Sequence, residues 1–170
     1  KILHVSYSDI LGGACRAGFR IHQCLDRNDE LLIKSKMRVI KKASNDSSIL
    51  SKNNIFHGYL QPKYITLLNR IYSYGFRTKN PVVYSTAVIN TGLGYELNNN
   101  KSIREFDIFH LHWLGNTTLS IEEIGKLKKP IIWTLHDQWP FCGAEHYSNF
   151  NKNNINDQID KRYFSSYSPE

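Results

Sequence analysis

The start of the chain changes from a short apolar segment to a helical pattern of apolar positions. Residues 2–7 are mostly apolar and predict a short buried strand. Gly12 and Gly13 follow, and from residue 14 onward apolar side chains recur every three or four positions, which places them on one face of a helix. A strand, a glycine turn and a helix in this order predict the opening unit of a Rossmann-like sheet.

The clearest pattern lies in the segment 106–135. Residues 106–113 and 131–135 are nearly continuous apolar runs and predict two buried strands. Between them, the hydroxyl of Ser120 can accept the amide of Glu123, and the Glu123 side chain can reach back to the Ser120 amide, which marks a helix start. A strand, a capped helix and a strand form a βαβ unit, so we expect the two strands to be parallel neighbours.

The remaining segments carry weaker patterns. Residues 31–40 predict the second strand and residues 61–74 a helix, whereas the glycines and asparagines of 92–100 predict loops. The Asn- and Ser-rich residues 148–170 predict a loop or a loosely held tail. We therefore expect one α/β domain over residues 1–147, a Rossmann-like three-layer sandwich with a mostly parallel sheet.

Charge and composition narrow the classes of partner. Lys and Arg number 22 and Asp and Glu 15, which gives a formal charge of +7 and favours phosphorylated ligands or anionic lipid surfaces. The basic residues are scattered and are not interleaved with stacking aromatic side chains, so we expect no nucleic-acid partner. The sequence has neither a signal peptide nor a membrane-spanning apolar run, which predicts a cytoplasmic protein that contacts a membrane at most peripherally.

The cysteines indicate a reducing compartment. Cys15, Cys24 and Cys142 form no C-x-x-C pair, which argues against a disulfide framework and against a structural zinc site. Cys15 and Cys24 fall on the first predicted helix, where we expect both to be packing residues.

Three pairs of candidate residues follow predicted strands. Gly12-Gly13, His112-Trp113 and His136-Asp137 each lie at the carboxyl end of a strand. Because these ends meet at one edge of a parallel sheet, and ligands of such sheets bind outside that edge, we expect the three pairs to converge on a functional crevice.

The chemistry of these residues leaves alternatives open. Gly12 and Gly13 before a helix suit the binding of a phosphate, although such a turn also occurs without a ligand. His110 and His112 lie on one face of a strand and, with His136 and Asp137, fit a metal-dependent hydrolase. The other interpretation is that His110 is hydrogen-bonded within the strand while His112 lines the crevice.

The segment after the last strand offers further candidates. His136 can transfer a proton, or it can form a hydrogen bond to a hydroxyl or a phosphate. Asp137 can accept a hydrogen bond from a hydroxyl, or it can cap a turn. Trp139 and Phe141 provide flat faces for a sugar ring, or belong to the core. His146 either returns to the crevice or lies on a loop.

Two blocks of sequence combine these features. The first contains Ser8-Asp9, Gly12-Gly13-Ala14, Arg16-Ala17 and Arg20-Ile21-His22-Gln23. The second runs from Phe106 to Tyr147 and contains His112-Trp113, Leu119-Ser120, Leu127-Lys128-Lys129-Pro130, Trp133-Thr134-Leu135-His136-Asp137, Trp139-Pro140-Phe141, Gly143 and His146-Tyr147. Together they resemble the family 4 glycosyltransferases that build bacterial capsule, O-antigen or colanic-acid-like polysaccharides, whereas residues 41–100 match that family only loosely.

The resemblance implies the N-terminal, acceptor-side domain of a GT-B fold. Such enzymes transfer a sugar from a nucleotide-sugar donor to a glycan or lipid-linked acceptor with retention of configuration, and they need no bound metal, which weakens the metal interpretation. The domain that binds the donor, with its Glu-x7-Glu motif, is absent from this sequence, so we expect the isolated chain to be inactive. A non-catalytic module that binds a glycan or a phosphate is the remaining alternative.

The resemblance also assigns roles to residues. His136 and Asp137 are expected at the reaction centre, where His136 positions substrate because the leaving phosphate can itself deprotonate the acceptor. Gly12 and Gly13 are expected to approach the donor diphosphate. The expected acceptor-binding residues are His112, Trp113, Trp139 and His146.

Overall fold

Parallel strands build the sheet at the centre of the fold. The computed structural model describes residues 1–51, 89–115 and 118–140, together with the single positions 64, 67, 68 and 71. The described residues form a five-stranded sheet of order β3-β2-β1-β4-β5, in which every neighbouring pair is parallel. The strands are β1 (Ile2–Ser8), β2 (Ser35–Lys41), β3 (Ile49–Leu50), β4 (Ile108–Leu111) and β5 (Ile131–Trp133). This order is that of a Rossmann-like sheet, which confirms the predicted fold class.

Helices cover the sheet on both faces. They are α1 (Gly13–Asp26), α2 (Leu93–Asn99) and α3 (Ile121–Gly125). Helix α1 connects β1 to β2, and α3 connects β4 to β5, which confirms the predicted βαβ unit. The predicted capping box is present, since Ser120 Oγ accepts the Glu123 amide at 3.0 Å and Glu123 Oε2 accepts the Ser120 amide at 3.0 Å.

The two faces of the sheet differ in chemistry because side chains alternate along each strand. Leu3, Val5, Phe109 and Leu111 point to the face covered by α2 and α3 and belong to the main hydrophobic core. The opposite face, under α1, carries the histidines at positions 4, 110 and 112, all of which are buried. The apolar core therefore lies on one side of the central strands and a row of imidazoles lies on the other.

The second strand begins later than its sequence pattern predicts. The prediction of a strand over 31–40 is wrong at its start, because Asp29–Leu31 forms a 3-10 turn and Leu32 is left-handed, with φ 50°. The turn forms because the side chain of Asn28 accepts the amide of Glu30 at 3.1 Å. Local side-chain hydrogen bonding of this kind competes with strand pairing.

A helix occupies part of the stretch where loops were predicted. Leu93–Asn99 is α2, so the loop prediction for Gly94 and for the asparagines at 98 and 99 is wrong. The cause is tertiary: the carboxylate of Glu123 accepts the amides of Gly92 and Gly94 at the start of this helix, at 2.7 and 3.2 Å.

The last strand is less buried than predicted. Strand β5 lies at the edge of the sheet, and Ile131 and Ile132 are 40% and 49% exposed. Leu135, which the prediction included in the strand, lies beyond it and is 49% exposed. Cys15 is buried as predicted, but Cys24 is exposed and is not a packing residue.

Some predictions lie outside the described residues. Positions 64, 67, 68 and 71 are helical, in agreement with the predicted helix over 61–74, whose other positions are not described. The tail 148–170 is likewise outside the described part. Among the described helices, none has the length and apolarity that crossing a membrane requires.

Candidate functional site

The candidate site lies at the carboxyl ends of β4 and β5, next to the point where the strand order reverses. Strand β1 has β2 on one side and β4 on the other, and ligands of such sheets bind at the carboxyl ends of the strands near this point. The ends of β1 and β4 are joined there by backbone hydrogen bonds, from the His112 amide to the Val5 carbonyl at 2.9 Å and from the Tyr7 amide to the Trp113 carbonyl at 3.1 Å. The parallel topology puts the three pairs at the same edge of the sheet, and two of them, His112-Trp113 and His136-Asp137, line one recess, whereas Gly12-Gly13 does not line it.

Three side-chain contacts join the carboxyl end of β4 and the residues after it to the segment after β5. His110 Nε2 lies 2.8 Å from Thr134 Oγ1, His112 Nδ1 lies 3.3 Å from His136 Nε2, and Trp113 Nε1 donates to Asp137 Oδ2 at 2.8 Å. Each contact spans 24 residues. The constant offset arises because the two segments run parallel, so the βαβ unit sets the spacing of the site.

The indole of Trp113 is held in one orientation. A Cβ added at Gly115 would lie 2.4 Å from Trp113 Cζ2, so only glycine leaves room for the ring. The ring of Tyr7 packs edge-on against the indole of Trp113, with ring centroids 5.8 Å apart. Packing and the Asp137 hydrogen bond together fix this aromatic surface before any ligand binds.

The segments after β4 and β5 line a small recess of about 10 Å³, roughly the room for one water molecule, so a sugar ring enters it only if side chains move. Its wall and floor contain three tryptophans, which are all the tryptophans of the chain, together with His136 and Asp137. Trp139 is 5% exposed and packs edge-on against Trp133, with ring centroids 6.0 Å apart. It therefore belongs mainly to the hydrophobic core and lines the recess only in part. The recess therefore offers flat apolar surfaces beside a carboxylate and an imidazole.

The histidines of the site are neutral at physiological pH. Burial, assisted by His110, His136 and His22, lowers the pKa of His112 to about 3. Burial also lowers the pKa of His136, and the adjacent Asp137 opposes this shift without reversing it. A neutral imidazole both donates and accepts one hydrogen bond, so His136 is suited to binding hydroxyl groups.

The glycine turn is exposed beside α1. Gly12 has φ 87°, a conformation that favours glycine, and a Cβ at Gly12 or Gly13 would meet no atom within 4 Å. The N-cap of α1 is Gly12, which has no side chain to cap the first turn, and this turn contains no acidic residue. Uncapped amides at a helix N-terminus attract anions, which keeps the predicted phosphate contact open.

A group of histidines lies behind the recess, under α1. One ring nitrogen from each of His4, His110 and His112 lies within 4.8 Å of the others. The predicted metal set named His110, His112 and His136, and it missed His4. His4 could have been included only if the register of β1 against β4 had been known, because His4 and His110 are paired residues of these neighbouring parallel strands.

The individual predictions for His110 and His112 are resolved in part. His110 Nε2 lies within hydrogen-bond distance of Thr134 Oγ1, at 2.8 Å, which agrees with the interpretation of His110 as a hydrogen-bonded histidine of the strand. His112 lines the recess but is only 1% exposed, because α1 covers its ring. His146 and Phe141 lie outside the described residues.

Comparisons of the chain with protein-family models, with curated proteins and with solved structures found no match. The resemblance to family 4 glycosyltransferases therefore stays a prediction.

Proposed function

We propose that this chain is the acceptor-binding domain of a retaining glycosyltransferase. The observation that carries the proposal is the recess at the carboxyl ends of β4 and β5, where fixed indole surfaces lie beside the carboxylate of Asp137 and the neutral imidazole of His136. The reaction is transfer of a sugar from a nucleotide-sugar donor to a glycan or lipid-linked glycan.

The recess has the two kinds of surface that a sugar requires. A pyranose ring has an apolar face of C–H groups, which packs against an aromatic plane, and a rim of hydroxyls, which need hydrogen-bond partners. Trp113 provides the aromatic surface, and the buried Trp139 supports the wall of the recess. Asp137 accepts hydrogen bonds from hydroxyls, and His136, whose Nε2 faces His112, offers its Nδ1.

The donor phosphates fit the neighbouring glycine turn. Three features favour the binding of a diphosphate. Gly12 and Gly13 are exposed, the N-cap of α1 has no capping side chain, and the chain has a formal charge of +7. In this proposal the donor sugar is held between the turn and a second, nucleotide-sugar-binding domain. The same charge suits peripheral contact with the anionic inner face of a membrane, where a cytoplasmic enzyme would meet a lipid-linked acceptor.

His136 and Asp137 act by positioning. A histidine whose pKa is lowered by burial is uncharged when substrate binds, so it orients the acceptor hydroxyl by hydrogen bonding. His112 supports it from behind, since His112 Nδ1 lies 3.3 Å from His136 Nε2. The leaving phosphate takes the proton of the acceptor hydroxyl, and no bound metal is required.

Tryptophan fluorescence provides a direct test of the sugar site. Because all the tryptophans of the chain line the recess, binding of a glycan there must change the emission. We expect a saturable change with some members of a panel of mono- and oligosaccharides. Asp137→Ala should weaken that binding about tenfold or more, since hydrogen bonds to a charged group contribute roughly 1.5–3 kcal/mol.

Asp26→Asn is the matched control, because Asp26 is an exposed carboxylate at the far end of α1. It should bind as the unmodified chain does. Absence of any saturable response, or an equal response from Asp137→Ala, would contradict the proposed sugar site. Binding without transfer in the two-domain protein would indicate a non-catalytic glycan-binding module instead.

A further inference from the structure

Three buried histidines meet on the face of the sheet that α1 covers. His4 of β1 and His110 of β4 are paired in register, and His112 follows two positions later on the same face. Their ring centroids are 4.2 to 5.2 Å apart. One nitrogen of each ring lies within 4.8 Å of the other two, so small movements of the rings bring all three to the Zn–N distance of roughly 2.0–2.1 Å.

The hydrogen bonding of this group is incomplete. His4 is fully buried, and its Nε2 has no hydrogen-bond partner within the part of the chain that the structure describes. An unpaired buried polar atom costs about 1–3 kcal/mol. The neighbouring His22 is buried to the same degree, yet its two nitrogens lie 2.7 Å from the hydroxyls of Ser35 and Ser48. Burial alone therefore does not explain the unpaired nitrogen of His4.

Further contacts orient two of the rings. Nε2 of His110 is occupied by Thr134 Oγ1 at 2.8 Å, which leaves Nδ1 of His110 for an ion. His112 Nδ1 faces His136 Nε2 at 3.3 Å, while His112 Nε2 faces His4 Nδ1 at 2.9 Å. Partners of this kind fix the ring orientation and tautomer of metal-binding histidines.

We propose that His4, His110 and His112 form a zinc-binding site beneath the sugar recess. Three imidazole nitrogens are a set that Zn²⁺ accepts, with a fourth position available to water or another ligand. Binding requires that each ring keep its hydrogen on the nitrogen that does not contact the ion. Coordination through Nε2 of His4 gives this buried nitrogen a partner and fixes the tautomer of each ring. The site is separate from the proposed sugar transfer, which needs no metal.

Zinc uptake by the tag-free chain tests the proposal. Equilibrium dialysis with elemental analysis should give one Zn²⁺ per chain, and Co²⁺ in its place should give the visible absorption of a tetrahedral site. His4→Gln and His110→Gln should each lower the affinity at least about a hundredfold, because even loss of an outer partner costs 10- to 100-fold. His22→Gln, a change at a buried histidine outside the set, should bind zinc normally.

Nitrogen-15 NMR of the unmodified chain decides the matter if a glutamine variant fails to fold. Zn²⁺ must then shift ring nitrogens of His4, His110 and His112 and leave the ring nitrogens of His22 in place. Three results would overturn the proposal: no stoichiometric zinc, unchanged affinity in folded His4→Gln and His110→Gln, or shifts confined to other histidines, which would indicate an adventitious surface site.

Discussion

Trp113 and Asp137 are joined by a hydrogen bond of 2.8 Å from the indole Nε1 to Oδ2, across 24 residues of sequence. The contact links the ends of two neighbouring parallel strands and fixes an aromatic plane beside a carboxylate. Asp137 Oδ1 also accepts the amide of Trp139 at 3.1 Å, so the same side chain shapes the turn after β5. Asp137 therefore caps the turn, one of the two roles that its sequence left open, and its role in ligand binding stays a prediction.

Trp113→Phe should weaken glycan binding while preserving the fold. Phenylalanine retains an aromatic ring but removes the donor, so Asp137 loses one of its partners and the recess loses its fixed shape. We expect glycan affinity to fall about three- to tenfold, in line with a hydrogen bond contribution of roughly 0.5–1.5 kcal/mol. Fluorescence from the remaining tryptophans measures the affinity, and unchanged affinity would show that the hydrogen bond does not shape the recess.

Glu123 should be a major determinant of stability. Its carboxylate accepts the amides of Thr91, Gly92, Gly94 and Ser120 as well as the Thr91 hydroxyl. Glu123→Ala leaves several buried donors unpaired, so we expect a loss of about 3 kcal/mol or more in the free energy of unfolding, measured by urea denaturation.

Glu122→Ala is the control for Glu123→Ala. Glu122 lies on the same helix but is exposed, and its ion pair with Lys126 is a surface pair. Exposed pairs contribute about 0–1 kcal/mol. Equal losses in the two variants would contradict the role of Glu123 in joining α2 to α3.

Gly18→Ala should destabilise the packing of α1 on the histidine face. A Cβ at Gly18 would lie 2.8 Å from Cγ of His112, so the helix or the imidazole must move. Overpacking of this kind costs about 1–3 kcal/mol, which should lower Tm by several degrees in a thermal melt. Gly13→Ala, on the same helix, meets no atom within 4 Å and should leave Tm unchanged or slightly raised. A Gly18→Ala protein as stable as Gly13→Ala would contradict the close contact.

The local parts of this fold could be predicted from the sequence, whereas the contacts between distant segments could not. The βαβ unit and the Ser120–Glu123 capping box depend on residues close in sequence, and both are present. Helix α2 was missed because its first amides are capped by Glu123, about thirty residues later. His4 was missed because only the register of β1 against β4 brings it beside His110.

The metal-free protein should lose stability in mild acid. In the folded state the pKa of His4 is about 2 and that of His112 about 3, below their ordinary value of 6.5. The unfolded chain therefore binds protons that the native state does not, so stability is full above pH 6.5 and falls as the pH drops toward 3. Each histidine contributes about 1.4 kcal/mol per pH unit, or roughly 5 kcal/mol for the pair by about pH 4.5.

Urea denaturation between pH 7 and pH 4.5, with a chelator present, measures this dependence. His4→Gln should reduce the slope of stability against pH, because one of the two histidines no longer titrates on unfolding. His136→Gln should change the slope less, since His136 is only partly buried. A stability that stays constant from pH 7 to pH 4.5 would contradict the assignment of neutral, buried histidines.

Sugar transfer tests the central claim most directly. The measurement is turnover of a panel of nucleotide sugars with glycan and lipid-linked acceptors, by a protein that joins this chain to a nucleotide-sugar-binding domain. We expect transfer with retention of anomeric configuration. His136→Ala should lower kcat at least about a hundredfold without lowering Tm, because misplacing a substrate costs on that order, whereas Asp26→Asn should be fully active. Full activity in His136→Ala, or no transfer with any donor, would contradict the account.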